Sequence, residues 1–273
     1  VSQEYILVDD PAEKVRRVTL NRPGKRNALC NALRGEILAA LEEGDRDESI
    51  RVMILRGAGP AFCAGYDLSA NNKEERPYHS AGGLGDWPRH VVEGSFRIWD
   101  LQKPVIAQVH GYCLAGGTEL ATACDLVYVA EDAQIGYPVV RSISPPDMQM
   151  FPWMVGMRQA MELMLTGDSI SGTEAAACGF ANRAYPAEDL EAAVLAIAER
   201  VAQVPVEIQQ VNKRSVHRAM EIMGLRTAVR SGTELQALAT QTDSAKEYYA
   251  KVHADLNDAL KERDAPYKDY KGS

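Results

Sequence analysis

The chain has 273 residues, 46% of them hydrophobic and 25% charged, which is enough apolar content for a sizeable core in one large domain or two small ones. With 38 acidic against 30 basic side chains the formal net charge is -8, which excludes a surface built to neutralise nucleic-acid phosphates and leaves room only for a local basic patch. Five cysteines (Cys30, Cys63, Cys113, Cys124 and Cys178) show neither CxxC pairing nor zinc-ligand spacing, so we expect reduced thiols, no metal site and a cytoplasmic chain.

The first residues lack a basic stretch followed by an apolar one, and no run approaches the ~18 apolar residues of a membrane span. We therefore expect no signal peptide and no membrane partner. Residues 5–20 read as a β-hairpin, apolar clusters either side of a polar DPAEK with the turn near Pro11. After the loop NRPGKRNAL, the residues Leu33, Ile37, Leu38 and Leu41 recur at helical spacing up to about Gly44. VMILRGAG is then a short apolar run closed by glycines, a buried strand.

The cycle repeats with a helix over about 91–101, a strand in PVIAQVHG, a helix in LAGGTELATACD and a strand in LVYVAE. Continuous apolar strands alternating with helices indicate an α/β class with parallel strands. Between the cycles lies SANNKEERPYHSAGGLGDWPRH, a polar loop that contains His79, Trp87 and His90 and is long enough to close over a ligand. Beyond Met150 the chain turns helical, and we place a boundary after Val204: a core over 1–204 and a helical region over 205–273.

Two junctions share a design. AFCAGYDLS follows one strand and GYCLAGGTELATACD follows another, each with small residues that allow close backbone approach and a helix start that leaves N–H groups unpaired. Each is also a sound turn in its own right. Two such N–H groups aimed at one oxygen would form an oxyanion hole. Glu119 stands in the first turn of the second helix, where a carboxylate either answers the helix dipole or moves a proton.

The segments NRPGKRNAL, AFCAGYDLS, HGYCLAGGTELATACD and LTGDSIS, in this order and spacing, strongly resemble the crotonase superfamily of enoyl-CoA hydratases and isomerases, over residues 5–186. The resemblance implies a crotonase-like ββα spiral core with a CoA-thioester site, a helical C-terminal trimerisation region, and a homotrimer or dimer of trimers. It implies no cofactor, since CoA is part of the acyl-CoA substrate. By the same likeness the backbone N–H groups of Tyr66 and Gly116 would hold the thioester oxygen. Lys25 and Arg26 would face CoA phosphates, and Ala64, Asp67 and Leu68 would lie near the adenine and pantetheine. Glu119 matches one of the two glutamates of the family's hydratases.

The second glutamate is missing. In the run IGYPVVRSISPPDM its place is taken by Val139, which cannot transfer a proton. Asp147, eight residues on, matches the place of the acid/base aspartate of dienoyl-CoA isomerases and of the nucleophile of chlorobenzoyl-CoA dehalogenase; it is also a natural N-cap after Pro145 and Pro146. Tyr137, Val139 and Trp153 could wall an acyl pocket. Arg141 is read either as a ligand for a substrate carboxylate or as half of an ion pair, and His110 as a structural histidine.

Three functions remain open. The first is hydration or isomerisation of a 2-enoyl-CoA, with Glu119 and Asp147 as paired carboxylates. The second is hydrolysis or carbon–carbon cleavage of a ring-derived acyl-CoA. The third is a non-catalytic acyl-CoA binder that has kept the hole and lost the machinery.

Overall fold

The computed structural model describes residues 4–69, 76–83 and 85–267. Strands β1 (Ile6–Ala12) and β2 (Val15–Leu20) form the hairpin, whose turn is at Glu13 and Lys14 rather than at Pro11. Pro11 instead lies within β1, where the pairing register shifts between Asp9 and Ala12. Helix α1 (Asn31–Arg46) runs two residues past Gly44 and buries Leu33, Ile37, Leu38 and Leu41 against the sheet. Strand β3 (Val52–Gly57) then pairs in parallel with β2, Val15 opposite Val52.

From here the chain repeats one device. Each long strand of a large sheet is followed by a three-residue strand of a small sheet and then by a helix or helical turn. Strand β3 leads to β4 (Ala61–Cys63) and α2 (Asp86–Trp99). Strand β5 (Val105–Val109) leads to β6 (Tyr112–Leu114) and α3 (Gly116–Thr122). Strand β7 (Leu126–Ala130) leads to β8 (Gln134–Gly136) and a 3-10 turn, Pro138–Arg141. The short helices α4 (Phe151–Met154) and α5 (Gly156–Thr166) precede β9 (Ser169–Ser171). A capping box between Ser171 and Glu174 starts α6 (Gly172–Cys178), and β10 (Arg183–Tyr185) closes the core.

The large sheet runs β1-β2-β3-β5-β7-β10, parallel after the hairpin, and the small one runs β4-β6-β8-β9. This is the expected ββα arrangement, and the central strands β3, β5 and β7 are almost wholly buried because both faces are covered. Helix α7 (Leu190–Ala202) lays Leu190, Val194, Ala198 and Ala202, one residue per turn, over β3, β5 and β7. Strand β4 packs against β3 and β5.

Four further helices follow: α8 (Val206–Ile222), α9 (Leu225–Ala239), α10 (Asp243–Ala254) and α11 (Leu256–Asp264). They pack back on the preceding chain. Leu225 and Val229 of α9 join Val92, Phe96 and Trp99 of α2, while Tyr248 and Val252 of α10 join Ile143. Among the described residues no helix is long and apolar enough to cross a membrane.

Candidate active site

Parallel pairing explains why distant residues meet. Strands β4 and β6 are neighbours, Cys63 opposite Cys113, so the turns at their carboxyl ends lie side by side. One turn contains Gly65 and Tyr66, the other Ala115 and Gly116. Gly65 has φ +107, and a Cβ there would stand 2.9 Å from the Ala115 Cβ and 3.4 Å from the Gly116 nitrogen. Glycine is required by both the conformation and the crowding. Ala115 itself is held at φ 50 and ψ -120, a strained conformation for a residue with a Cβ, and it aims the start of α3.

The next strand, β8, pairs with β6 (Leu114 opposite Gly136) and delivers Tyr137 to the same place. Three turns thus converge on Glu119, which is only 1% exposed. Its Oε2 accepts from the Tyr66 hydroxyl at 2.6 Å. Its Oε1 accepts from the Tyr137 hydroxyl at 3.1 Å, the Asp147 amide at 2.8 Å and the Met148 amide at 3.3 Å. Burial pushes the Glu119 pKa up, and these four donors pull against that rise. Both phenols are themselves raised well above the usual tyrosine range, first by burial and then by the charge of Glu119, so they stay protonated and donate.

Asp147 is 3% exposed and differs in one respect: its Oδ1 has no hydrogen-bond partner among the described residues. Burial and then the charge of Glu119 hold its carboxyl well above the usual range, against a smaller opposing pull from Arg34. The sequence-based reading of Asp147 as a helix cap is not what the fold uses. Asp147 lies before α4, whose N-cap is Met150. Glu119 and Asp147 therefore form a buried pair in which Glu119 is the better supported anion and Asp147 the better proton holder.

A cleft of about 380 Å³ is lined by Tyr66, Gly116 and Leu120 together with Leu29, Arg34 and Tyr78; neither Glu119 nor Asp147 lines it, and Tyr66, whose hydroxyl donates to Glu119, links the pair to it. Tyr137, Val139 and Trp153, expected to wall an acyl pocket, do not line it. Tyr137 is spent on Glu119, Val139 packs against the cluster containing Tyr248 and Val252, and Trp153 packs with Met148 and Met150. The cleft is walled instead by α1 and α2, and the latter begins at Asp86, so Trp87 and His90 belong to a helix rather than to a loop. Residues 70–75 and 84 of that loop lie outside the described residues.

The turns carrying the expected CoA contacts are joined to one another. The Ala64 amide donates to the Arg26 carbonyl at 3.0 Å, and Asp67 pairs with Arg22 at 3.0 Å. Asp67 is thus a tie between turns, and Leu68 is an exposed apolar residue beside it. Lys25 is exposed and reaches Ser69 at 3.5 Å, while the Arg26 guanidinium lies 5.0 Å from the Tyr112 ring centroid. Arg141 is not at the cleft. Its buried guanidinium bridges Asp168 at 2.7 Å and Asp264 at 3.0 Å, the ion-pair reading. His110 is satisfied by the Gly59 carbonyl at 2.8 Å.

Five contributors escaped the sequence reading: the phenols of Tyr66 and Tyr137, the amides of Asp147 and Met148, and Arg34. Only Arg34 left a signal. It lies three, four and seven residues before Ile37, Leu38 and Leu41, so it belongs to the apolar stripe of α1. Among the described residues no group of three or more His, Cys, Asp or Glu could hold a metal ion.

Residues 10–259 match the family model described as Enoyl-CoA hydratase/isomerase. The chain is 34% identical over 225 residues to the mitochondrial enoyl-CoA hydratase of Pongo abelii, covering 80% of this chain and 75% of that protein. Among solved structures it resembles an enoyl-CoA hydratase/isomerase from Xanthobacter autotrophicus Py2, with TM-score 0.88, 32% identity, and 97% and 99% of the two chains covered. An enoyl-CoA hydratase from Mycobacterium smegmatis matches with TM-score 0.88 and 29% identity over 97% of this chain and 95% of that one. The chain belongs to the enoyl-CoA hydratase/isomerase family and has its crotonase fold.

Proposed function

We propose that the protein adds water across the C2–C3 double bond of a 2-enoyl-CoA thioester. The observation that carries this reading is the asymmetry of the buried pair: four donors on Glu119 and an unpartnered Asp147 Oδ1. Such a pair shares one proton, and its members take opposite roles. Oε1 of Glu119 is engaged by three donors and Oε2 by the Tyr66 hydroxyl alone, so Oε2 is the atom with room to accept a proton.

In this reading Glu119 Oε2 takes a proton from water as the water oxygen bonds to C3. The C2–C3 electron pair moves onto the thioester, whose oxygen is held by the N–H groups of Tyr66 and Gly116, neither of which donates elsewhere among the described residues. The enolate then takes a proton at C2 from Asp147, and transfer from Glu119 to Asp147 resets the pair. Lys25 and Arg26 would meet the CoA phosphates, and no resident cofactor is needed. The exposed apolar residues Ile208, Val211 and Val216 on α8 would be covered by further copies of the chain.

One observation favours a second reading. Val139 stands where the hydratases carry a second glutamate, so a water is held by fewer groups, and moving a proton between C2 and C4 needs no water at all. Mass spectrometry of linear, dienoyl and cyclic enoyl-CoA thioesters incubated with the protein in deuterated water separates the two. A gain of one water supports hydration, deuterium uptake alone supports isomerisation, and release of free CoA or no change contradicts both.

A further inference from the structure

We propose that Arg34 makes this site selective for acyl chains bearing a carboxylate beyond the double bond. The inference rests on the reading that the cleft takes the acyl part of a CoA thioester. Arg34 is 8% exposed, so its charge is largely removed from water. Two of its five N–H donors are used, one on the Tyr78 hydroxyl at 2.8 Å and one on Asn31 Oδ1 at 3.2 Å. Among the described residues no carboxylate forms an ion pair with it; the Asp147 carboxyl feels its charge, but burial and Glu119 keep that group on the protonated side. A buried guanidinium with no ion-paired anion is costly, and a ligand carboxylate would supply the partner.

Its surroundings fix where that ligand would be. The cleft around Arg34 is otherwise apolar on this side, with Leu29, Ile37, Leu38, Val91 and Ile98, and Gly116 and Tyr66 line the same cleft. A chain whose thioester is held at Gly116 therefore runs along apolar wall with one cation in it. The guanidinium is also fixed in orientation. Tyr78 receives one of its hydrogen bonds and donates onward to the His90 carbonyl, and the Trp87 ring lies 5.4 Å from the guanidinium carbon. Arg97, 4.8 Å from the Tyr78 ring centroid, adds positive charge rather than cancelling it. A planar, pre-oriented fork with spare donors suits a carboxylate and gains nothing from a hydrocarbon tail.

The test is calorimetric titration of the whole protein with saturated acyl-CoA thioesters ending in a free carboxylate, each against its methyl ester of the same length. Wild type should bind the acid roughly 10- to 100-fold tighter, the range of a charge-assisted hydrogen bond. Arg34→Met should bind acid and ester alike, and Arg34→Lys should keep part of the preference. Equal binding of acid and ester by wild type at every length overturns the proposal, with no variant needed, and so does a preference that survives in Arg34→Met. Because the thioesters are saturated, this ratio is read without turnover; a failure to hydrate any enoyl-CoA would count against the proposed reaction and leave the ratio intact.

Discussion

The amide of Asp147 donates to Glu119 Oε1 at 2.8 Å, while Asp147's own Oδ1 has no hydrogen-bond partner among the described residues. One backbone contact thus brings the two carboxyl groups into a single buried environment and leaves them in opposite states. The negative charge is stabilised on the residue that receives four donors, and the proton stays on the one whose Oδ1 receives none.

Asp147→Asn tests the proton on Asp147 through stability. Its folded-state pKa is raised, first by burial and then by Glu119. The native protein therefore keeps a proton that the unfolded chain releases above about pH 4. Its stabilising effect is complete below that pH and is lost as pH rises through the folded pKa. Asparagine cannot ionise. The variant should melt at the same temperature as wild type near pH 4 and several degrees higher at pH 8, while turnover falls by roughly 10²- to 10⁴-fold. Parallel melting curves across that range would refute the assignment.

Tyr66→Phe removes the largest of the hydrogen bonds that oppose the effect of burial on Glu119. The Glu119 pKa should rise, so the acidic limb of kcat/KM against pH should move to higher pH. Below the new limb the rate falls roughly tenfold per pH unit. A limb that stays in place would show that Glu119 is not the titrating base.

Gly65→Ala places a methyl group against Ala115 in a backbone conformation with φ +107. The strain is about 1–3 kcal/mol, and relief must displace the start of α3. We expect a lower melting temperature and a larger proportional loss of turnover than of thermal stability, read from melts and kinetics on the same preparation.

Arg141→Ala breaks the bridge from the core to the C-terminal helix at Asp168 and Asp264. The guanidinium is 4% exposed but its partners are about one third exposed, so the cost should lie below that of a fully buried pair, at about 2 kcal/mol. Amide exchange in α11 should rise more than in α7. Uniform exchange would place the bridge outside the forces that hold α11.

The long strands and the glycine turns were legible in sequence because burial on both faces writes continuous apolar runs, and tight turns write glycines. The small sheet was not, since its strands are three residues long and carry no period. Glu119 and Asp147 could be named from motif position, but the donors on Glu119 could not, because two are backbone amides and the others are phenols brought in by strand pairing. Arg34 was visible as a charge in the apolar stripe of α1; only the tertiary packing of α2 shows that it faces a cleft.

The most direct measurement is exchange of the C2 proton of a 3-hydroxyacyl-CoA in deuterated water, followed by proton NMR for wild type and Asp147→Asn, with thioester binding measured beside it. If Asp147 delivers and removes the C2 proton, wild type exchanges and the variant loses exchange by roughly 10²-fold or more while still binding the thioester. Exchange at the wild-type rate in Asp147→Asn would contradict the account.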